Sequence, residues 1–122
     1  MGPAVLIVDD EEGIRKLLAD ILEMRGFEVC QASNGKEGLR QLYDRRPDLV
    51  VSDVRMPDMD GYEFCHLVRQ ACDVPIMIIT GIGPTEDKIQ RLTADVDEFM
   101  AKPLTLGDFV ERVSFLTGLR RA

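Results

Sequence analysis

No stretch of this chain approaches the roughly 20 apolar residues that a membrane-spanning helix needs. The first apolar run, at Val5, turns acidic before any cleavage site, so no secretory signal peptide is expected. Nor is there a cluster of basic residues. The formal net charge is −7, and Lys and Arg are scattered apart from Arg45-Arg46 and Arg120-Arg121. Phosphate contacts need clustered cations, so direct binding to nucleic acid is not expected. The three cysteines, Cys30, Cys65 and Cys72, form no CxxC pair and leave an odd count, which reads as reduced structural thiols in a cytoplasmic protein. His66 is the sole histidine and falls mid-helix, where a surface or packing role is expected.

What the chain does have is alternation. Its 122 residues are one domain's worth, with 45% hydrophobic residues to build a core. Residues 4–119 are expected to form that domain, with residues 1–3 and 120–122 as short tails. Apolar runs of strand length occur at Ala4–Val8, Phe27–Ala32, Leu49–Asp53, Pro75–Thr80 and Asp97–Ala101. Between them lie segments of helical period. Ile14, Leu17, Leu18, Ile21 and Leu22 share one face, and Gly26 stops that helix. Ser33-Asn34-Gly35 starts a second helix with Leu39, Leu42 and Tyr43 on its face, and Pro47 ends it. Phe64, Leu67 and Val68 mark a third. A fourth is expected near Glu86–Ala94, with a thin apolar face of Ile89, Leu92 and Ala94. The last is expected to bury Leu106, Phe109, Val110, Val113 and Leu116.

A repeated strand–helix alternation demands an α/β fold: a doubly wound parallel sheet covered by helices on both faces. Right-handed crossovers bring the carboxyl end of every strand to one edge, where such sheets carry their sites. Four polar signals fall at those ends: Asp9-Asp10, Asp53, Thr80 and Lys102. Asp9 and Asp10 can cap the following helix, but a cap needs one acid, and Glu11 and Glu12 stand beside them. Three carboxylates in one place repel one another and are costly to desolvate, which points to a divalent cation and to a reactive carboxylate. Asp53 is the candidate nucleophile, since carboxylates can attack phosphorus. Lys102 supplies compensating charge, and the Thr80 hydroxyl can donate to a phosphoryl oxygen. Phe99, close in sequence to Lys102, is a core residue able to report a shift of Thr80.

Taken together, Val8-Asp9-Asp10-Glu11, the segment LVVSDVRMPDMDG from Leu49 to Gly61, Ile78-Ile79-Thr80 and Lys102-Pro103-Leu104 resemble the receiver domains of the two-component response-regulator family. The resemblance covers essentially the whole chain. It implies a flavodoxin-like sheet of order 2-1-3-4-5 with five helices. It implies that Asp53 is the phosphoacceptor and that Mg2+ is the cofactor. The implied ligands are Asp9, Asp10, Asp53 and the backbone carbonyl of Arg55. Thr80 and Lys102 are implied to contact the phosphoryl group, and Thr80 and Phe99 to form the switch. The implied partner is a sensor histidine kinase or a histidine phosphotransfer protein, with Ile14 and Leu17 as a candidate docking patch. The surface made by the helix near Glu86–Ala94, the fifth strand and the last helix is expected to switch, and to support a homodimer. Two positions depart from the family's habit: Gly81 follows Thr80, and Asp95 stands where glycine is common.

Alternative functions fit the residues less well. A flavin or nucleotide module needs a glycine- and hydroxyl-rich loop after the first strand, where Asp9–Glu12 would repel phosphate. A Mg2+-dependent phosphohydrolase needs a base to turn over its aspartyl phosphate, and the residue two beyond Asp53 is Arg55. A receiver-like scaffold that is never phosphorylated would not need the intact set of acids with Thr80 and Lys102. The expectation is therefore a signalling switch rather than a turnover enzyme.

Overall fold

The computed structural model describes residues 2–81, 95–101 and 104–119, with Thr80 and Leu119 described by their backbone. The apolar runs form strands β1 (Ala4–Val8), β2 (Glu28–Ala32), β3 (Leu49–Asp53), β4 (Ile76–Thr80) and β5 (Glu98–Ala101). The periodic segments form helices α1 (Glu12–Met24), α2 (Gly35–Arg45), α3 (Gly61–Ala71) and α4 (Leu106–Leu119). The expected helix near Glu86–Ala94 lies outside the described residues. So does Lys102. Among the described residues, no helix is long and apolar enough to cross a membrane.

The five strands lie in the order β2-β1-β3-β4-β5, and every neighbouring pair is parallel. The alternation predicts the parallel sheet, and its flavodoxin-like order is the one that the family resemblance implies. Successive strand residues point to opposite faces, so each strand feeds two cores. Val5, Ile7, Leu49, Val51, Met77 and Ile79 pack against α1 and α4. Leu6, Val8, Val50, Ile76 and Ile78 pack against α2 and α3, with Phe64, Cys65 and Val68 as the α3 contribution. A sheet covered on both faces explains why its strands read as continuous apolar runs rather than alternating ones.

Helical period overstates three positions. Leu17 is 49% exposed and Tyr43 is 68% exposed, while Leu106, at the first position of α4, is also exposed. Each lies at the margin of an apolar stripe whose centre (Leu18 and Leu22, Leu42, Phe109 and Val113) covers the sheet. Ile14, paired with Leu17 as a docking patch in the sequence reading, packs partly against the core.

The helix starts show which local chemistry does the work. Asn34 caps α2 by accepting from the Glu37 N–H at 2.8 Å, and Asp60 caps α3 by accepting from the Glu63 N–H at 2.8 Å. Gly26, at φ 91°, turns the chain out of α1 into β2. Gly61 is required for a different reason. Its N–H donates to the Val54 carbonyl at 2.7 Å, and a Cβ there would collide with the Asp53 carbonyl oxygen and lie 2.7 Å from the Val54 Cα. Only glycine lets α3 begin against the end of β3.

Candidate functional site

Register builds the site. Val8 pairs with Ser52, so Asp9 and Asp53 follow side by side on adjacent central strands. Asp53 pairs with Ile79, and Thr80, one step on, pairs with Ala101, the residue before Lys102. The carboxyl ends of β1, β3, β4 and β5 thus share one edge. There Asp9, Asp10 and Asp53 each offer a carboxylate oxygen, and these oxygens lie within 4.8 Å of one another. Among the described residues this is the one acidic group of its kind. Asp9 and Asp53 are buried, at 4% and 6% exposed, and Asp10 opens to solvent.

Each buried acid is oriented by backbone donors. The Glu11 N–H donates to Asp9 Oδ1 at 2.9 Å, so Asp9 organises the turn into α1 while presenting its carboxylate to the cluster. Asp9 does not cap α1 itself: the N-cap residue is Glu11, whose side chain makes no cap hydrogen bond, and Asp9 instead holds the N–H of Glu11 in the turn before the helix. The Val54 N–H donates to Asp53 Oδ1 at 2.6 Å, and the Arg55 N–H approaches the same oxygen at 3.5 Å. The Ser52 hydroxyl donates to the Asp53 carbonyl at 2.9 Å.

Two residues that sequence reasoning passed over support this arrangement. Arg15, in the first turns of α1, donates from Nη1 to the Asp9 carbonyl at 2.9 Å and from Nε to Gln31 Oε1 at 3.1 Å. It fastens the end of β1 to β2 and brings a guanidinium toward the acids. Asp58, legible only as a turn residue, accepts the Gly35 N–H at 2.9 Å and the Lys36 N–H at 2.8 Å. Neither partner is foreseeable from local pattern, because each contact joins elements distant in the chain.

Phe99, the expected switch aromatic, is half-buried and packs against the core on the α2–α3 face. Asp95 is a contact point rather than a simple turn residue. Its carboxylate lies 3.5 Å from His66 Nδ1, and its carbonyl accepts Arg69 Nη2 at 2.8 Å. Arg69 also reaches Asp97 at 3.2 Å, and Asp97 accepts the Ile76 N–H at 2.8 Å. The start of β5 is thereby tied to α3 and β4. Burial pushes the Cys65 thiol up to about 12, which fits an inert core thiol.

Comparison with known proteins agrees with this geometry. Residues 5–114 match the family model described as the response regulator receiver domain. The chain is 41% identical over 118 residues to "Probable transcriptional regulator ycf27" of Pyropia yezoensis, covering 97% of this chain and 48% of the relative. It is 38% identical over 109 residues to the KDP operon transcriptional regulatory protein KdpE of Escherichia coli (strain K12), covering 89% of this chain and 48% of the relative. The chain spans about half the length of the curated relatives it matches. Among solved structures, a CheY-like response regulator receiver domain protein from Methanospirillum hungatei JF-1 superposes with a TM-score of 0.93 at 27% identity, over 99% of this chain and 98% of that one. With that match along the chain, a 2-1-3-4-5 sheet and paired acids at its carboxyl edge, this chain belongs to the response regulator receiver domain family of two-component signalling.

Proposed function

We propose that this chain is a Mg2+-dependent phosphoacceptor switch in which Asp53 takes a phosphoryl group from a phosphohistidine. The donor is a sensor histidine kinase or a histidine phosphotransfer protein. The observation that carries the reading is the meeting of Asp9, Asp10 and Asp53 at one sheet edge, with oxygens within 4.8 Å of one another. Two of those acids are buried, and an all-oxygen donor set of this charge suits a hard divalent cation. Asp9, Asp10, Asp53 and the Arg55 carbonyl would hold Mg2+. When bound, it supplies neutralisation of the anionic oxygens that gather during transfer.

The chain's own residues do the rest. Val54 fixes the rotation of the Asp53 carboxylate, so that one oxygen faces the incoming phosphorus in line. The P–N bond of the phosphohistidine breaks as the Asp53 O–P bond forms, and the imidazole leaves with the bonding pair. Lys102 and Thr80 are assigned to the phosphoryl oxygens, as charge and as hydroxyl donor. Their strand ends lie at the same edge, Thr80 opposite Ala101. Because both bind the phosphorylated form better than the free one, they bias a two-state surface. Phe99 on β5 is the proposed reporter, and the surface includes α4 and the segment expected to be helical near Glu86–Ala94. A homodimer through that surface is the proposed consequence, and exposed Phe115 on α4 supports it.

The domain is assigned to residues 4–119. Several relatives are named transcriptional regulators and are about twice as long, which supports a role upstream of a transcriptional output. With a net charge of −7, this domain is proposed to act without touching nucleic acid itself. A cytoplasmic setting follows from that role. As a switch it catalyses its own phosphorylation and dephosphorylation rather than turnover of a separate substrate.

The test is to incubate the protein with MgCl2 and a small phosphodonor such as acetyl phosphate, then weigh it intact. Wild type gains one phosphoryl group, and neither Asp53→Ala nor wild type in chelator does. Equal gain by Asp53→Ala, or none by wild type, removes Asp53 as the acceptor.

A further inference from the structure

We infer that Asp58 is a positioning residue for the acid site: it pins the loop between β3 and α3 onto the start of α2, and so holds the Arg55 backbone where it can serve a cation. This deepens the proposed function and rests on that reading of the acids.

The loop runs through residues 54–60. Its α3 end is closed locally, by the Gly61 N–H on the Val54 carbonyl at 2.7 Å and by Asp60 as the α3 cap. Its tip is held differently. The two carboxylate oxygens of Asp58 take separate donors on α2, Gly35 N–H at 2.9 Å and Lys36 N–H at 2.8 Å. A two-point attachment fixes orientation as well as distance. Met59 adds a second hold. It lies over Gly35 so closely that a Cβ on that residue would meet its Cγ and stand 2.7 Å from its Sδ.

Capping alone does not account for this arrangement. α2 already has its own cap, since Asn34 accepts the Glu37 N–H at 2.8 Å. Asp58 satisfies further first-turn donors from a different element, 22 and 23 residues away. Its charge favours the N-terminal end of the helix dipole. Desolvation acts to raise the pKa of its carboxyl, but hydrogen bonds from the Gly35, Lys36 and Met59 N–H groups and its own outweigh that and hold it below the usual aspartate value. The anchor is therefore ionised at neutral pH.

Arg55 is the residue that benefits. It is exposed and outside regular structure, and its N–H stands 3.5 Å from Asp53 Oδ1, too long to fix it firmly. Asp58, three residues on, is where the loop is attached to a rigid element. Without it, the Arg55 carbonyl samples more orientations before any cation arrives, and binding must bear that ordering cost.

The test is a MgCl2 titration followed by NMR amide shifts of Val54 and Arg55, in wild type, Asp58→Ala, Asp58→Asn and Asn34→Ala. Wild type binds. Asp58→Ala binds about threefold to tenfold more weakly, below the range for losing an outer-shell partner because Arg55 supplies only one ligand. Asp58→Asn, which keeps one acceptor oxygen, falls between. Asn34→Ala removes a cap from the same helix, lowers Tm, and keeps the wild-type affinity. Wild-type affinity in Asp58→Ala overturns the inference while leaving the site intact. If Asp58→Ala does not fold, wild-type affinity in Asp58→Asn overturns it equally. Weakening by Asn34→Ala to the same degree as Asp58→Ala also overturns it, because helix stability would then be the cause. Absence of any shift in wild type instead removes the proposed cation site itself.

Discussion

Replacing Asp9 by asparagine should make the protein more stable in Mg2+-free buffer. The substitution keeps the shape of the side chain and an oxygen able to accept the Glu11 N–H, now at 2.9 Å from Asp9 Oδ1. It removes one of three charges whose oxygens lie within 4.8 Å of one another. At that separation, two unit charges repel by about 1 kcal/mol in a water-like medium and about 3.5 kcal/mol in the effective dielectric near a protein surface. Asp9 faces two such neighbours. Asp53 is buried, so that pair lies toward the upper value, while exposed Asp10 lies toward the lower. Favourable polar contacts of the Asp9 carboxylate offset part of the repulsion. A net gain of about 1–3 kcal/mol remains, or roughly 3–12 °C in Tm for a domain of this size. Urea unfolding in chelator at low ionic strength measures it. Adding salt should narrow the gap between the two proteins, since screening relieves wild type most. MgCl2 should raise the stability of wild type far more than that of Asp9→Asn, because only the former keeps the full site. An Asp9→Asn protein less stable than wild type in chelator would refute the claim that the cluster is held together against its own repulsion.

Two further outcomes follow from packing. Gly61→Ala drives a methyl into the Asp53 carbonyl and the Val54 backbone and endangers the 2.7 Å bond between Gly61 and Val54. It should cost about 2–4 kcal/mol and lower Tm by roughly 6–16 °C, with phosphorylation of Asp53 slowed as well; unchanged Tm and unchanged phosphorylation would contradict the close-approach argument. Cys72 is exposed, whereas Cys65 is buried with its thiol pushed up to about 12. An aromatic disulfide reagent near neutral pH should therefore label Cys72 in the native protein and Cys65 only after unfolding; labelling of both at one rate would refute the assignment.

Much of the fold was legible because it depends on local pattern. A strand buried on both faces must be apolar throughout, so Val5–Val8 and Leu49–Val51 announce themselves. A crossover must be helical and right-handed, so the acids at the ends of β1 and β3 had to share an edge. What failed was fine burial. Leu17, Tyr43 and Leu106 fit the helical period, yet they lie at the edge of stripes whose width the sheet decides. Period reports angle around a helix and says nothing of how far the opposing surface extends.

The sequence by itself determined the alternation of elements, the acidic pair after β1, the lone acid that ends β3 and the helix start at Ser33-Asn34-Gly35, because each depends on near neighbours in the chain. Tertiary structure alone decided which groups hold those acids in place. Arg15 reaches the Asp9 carbonyl and Gln31, and Asp58 reaches the Gly35 and Lys36 N–H groups. Such contacts join segments that the chain separates, and they exist only once the parallel sheet has brought β1, β2, β3 and the start of α2 to one edge. A turn aspartate and a helix-surface arginine look ordinary in sequence because their partners are chosen by topology.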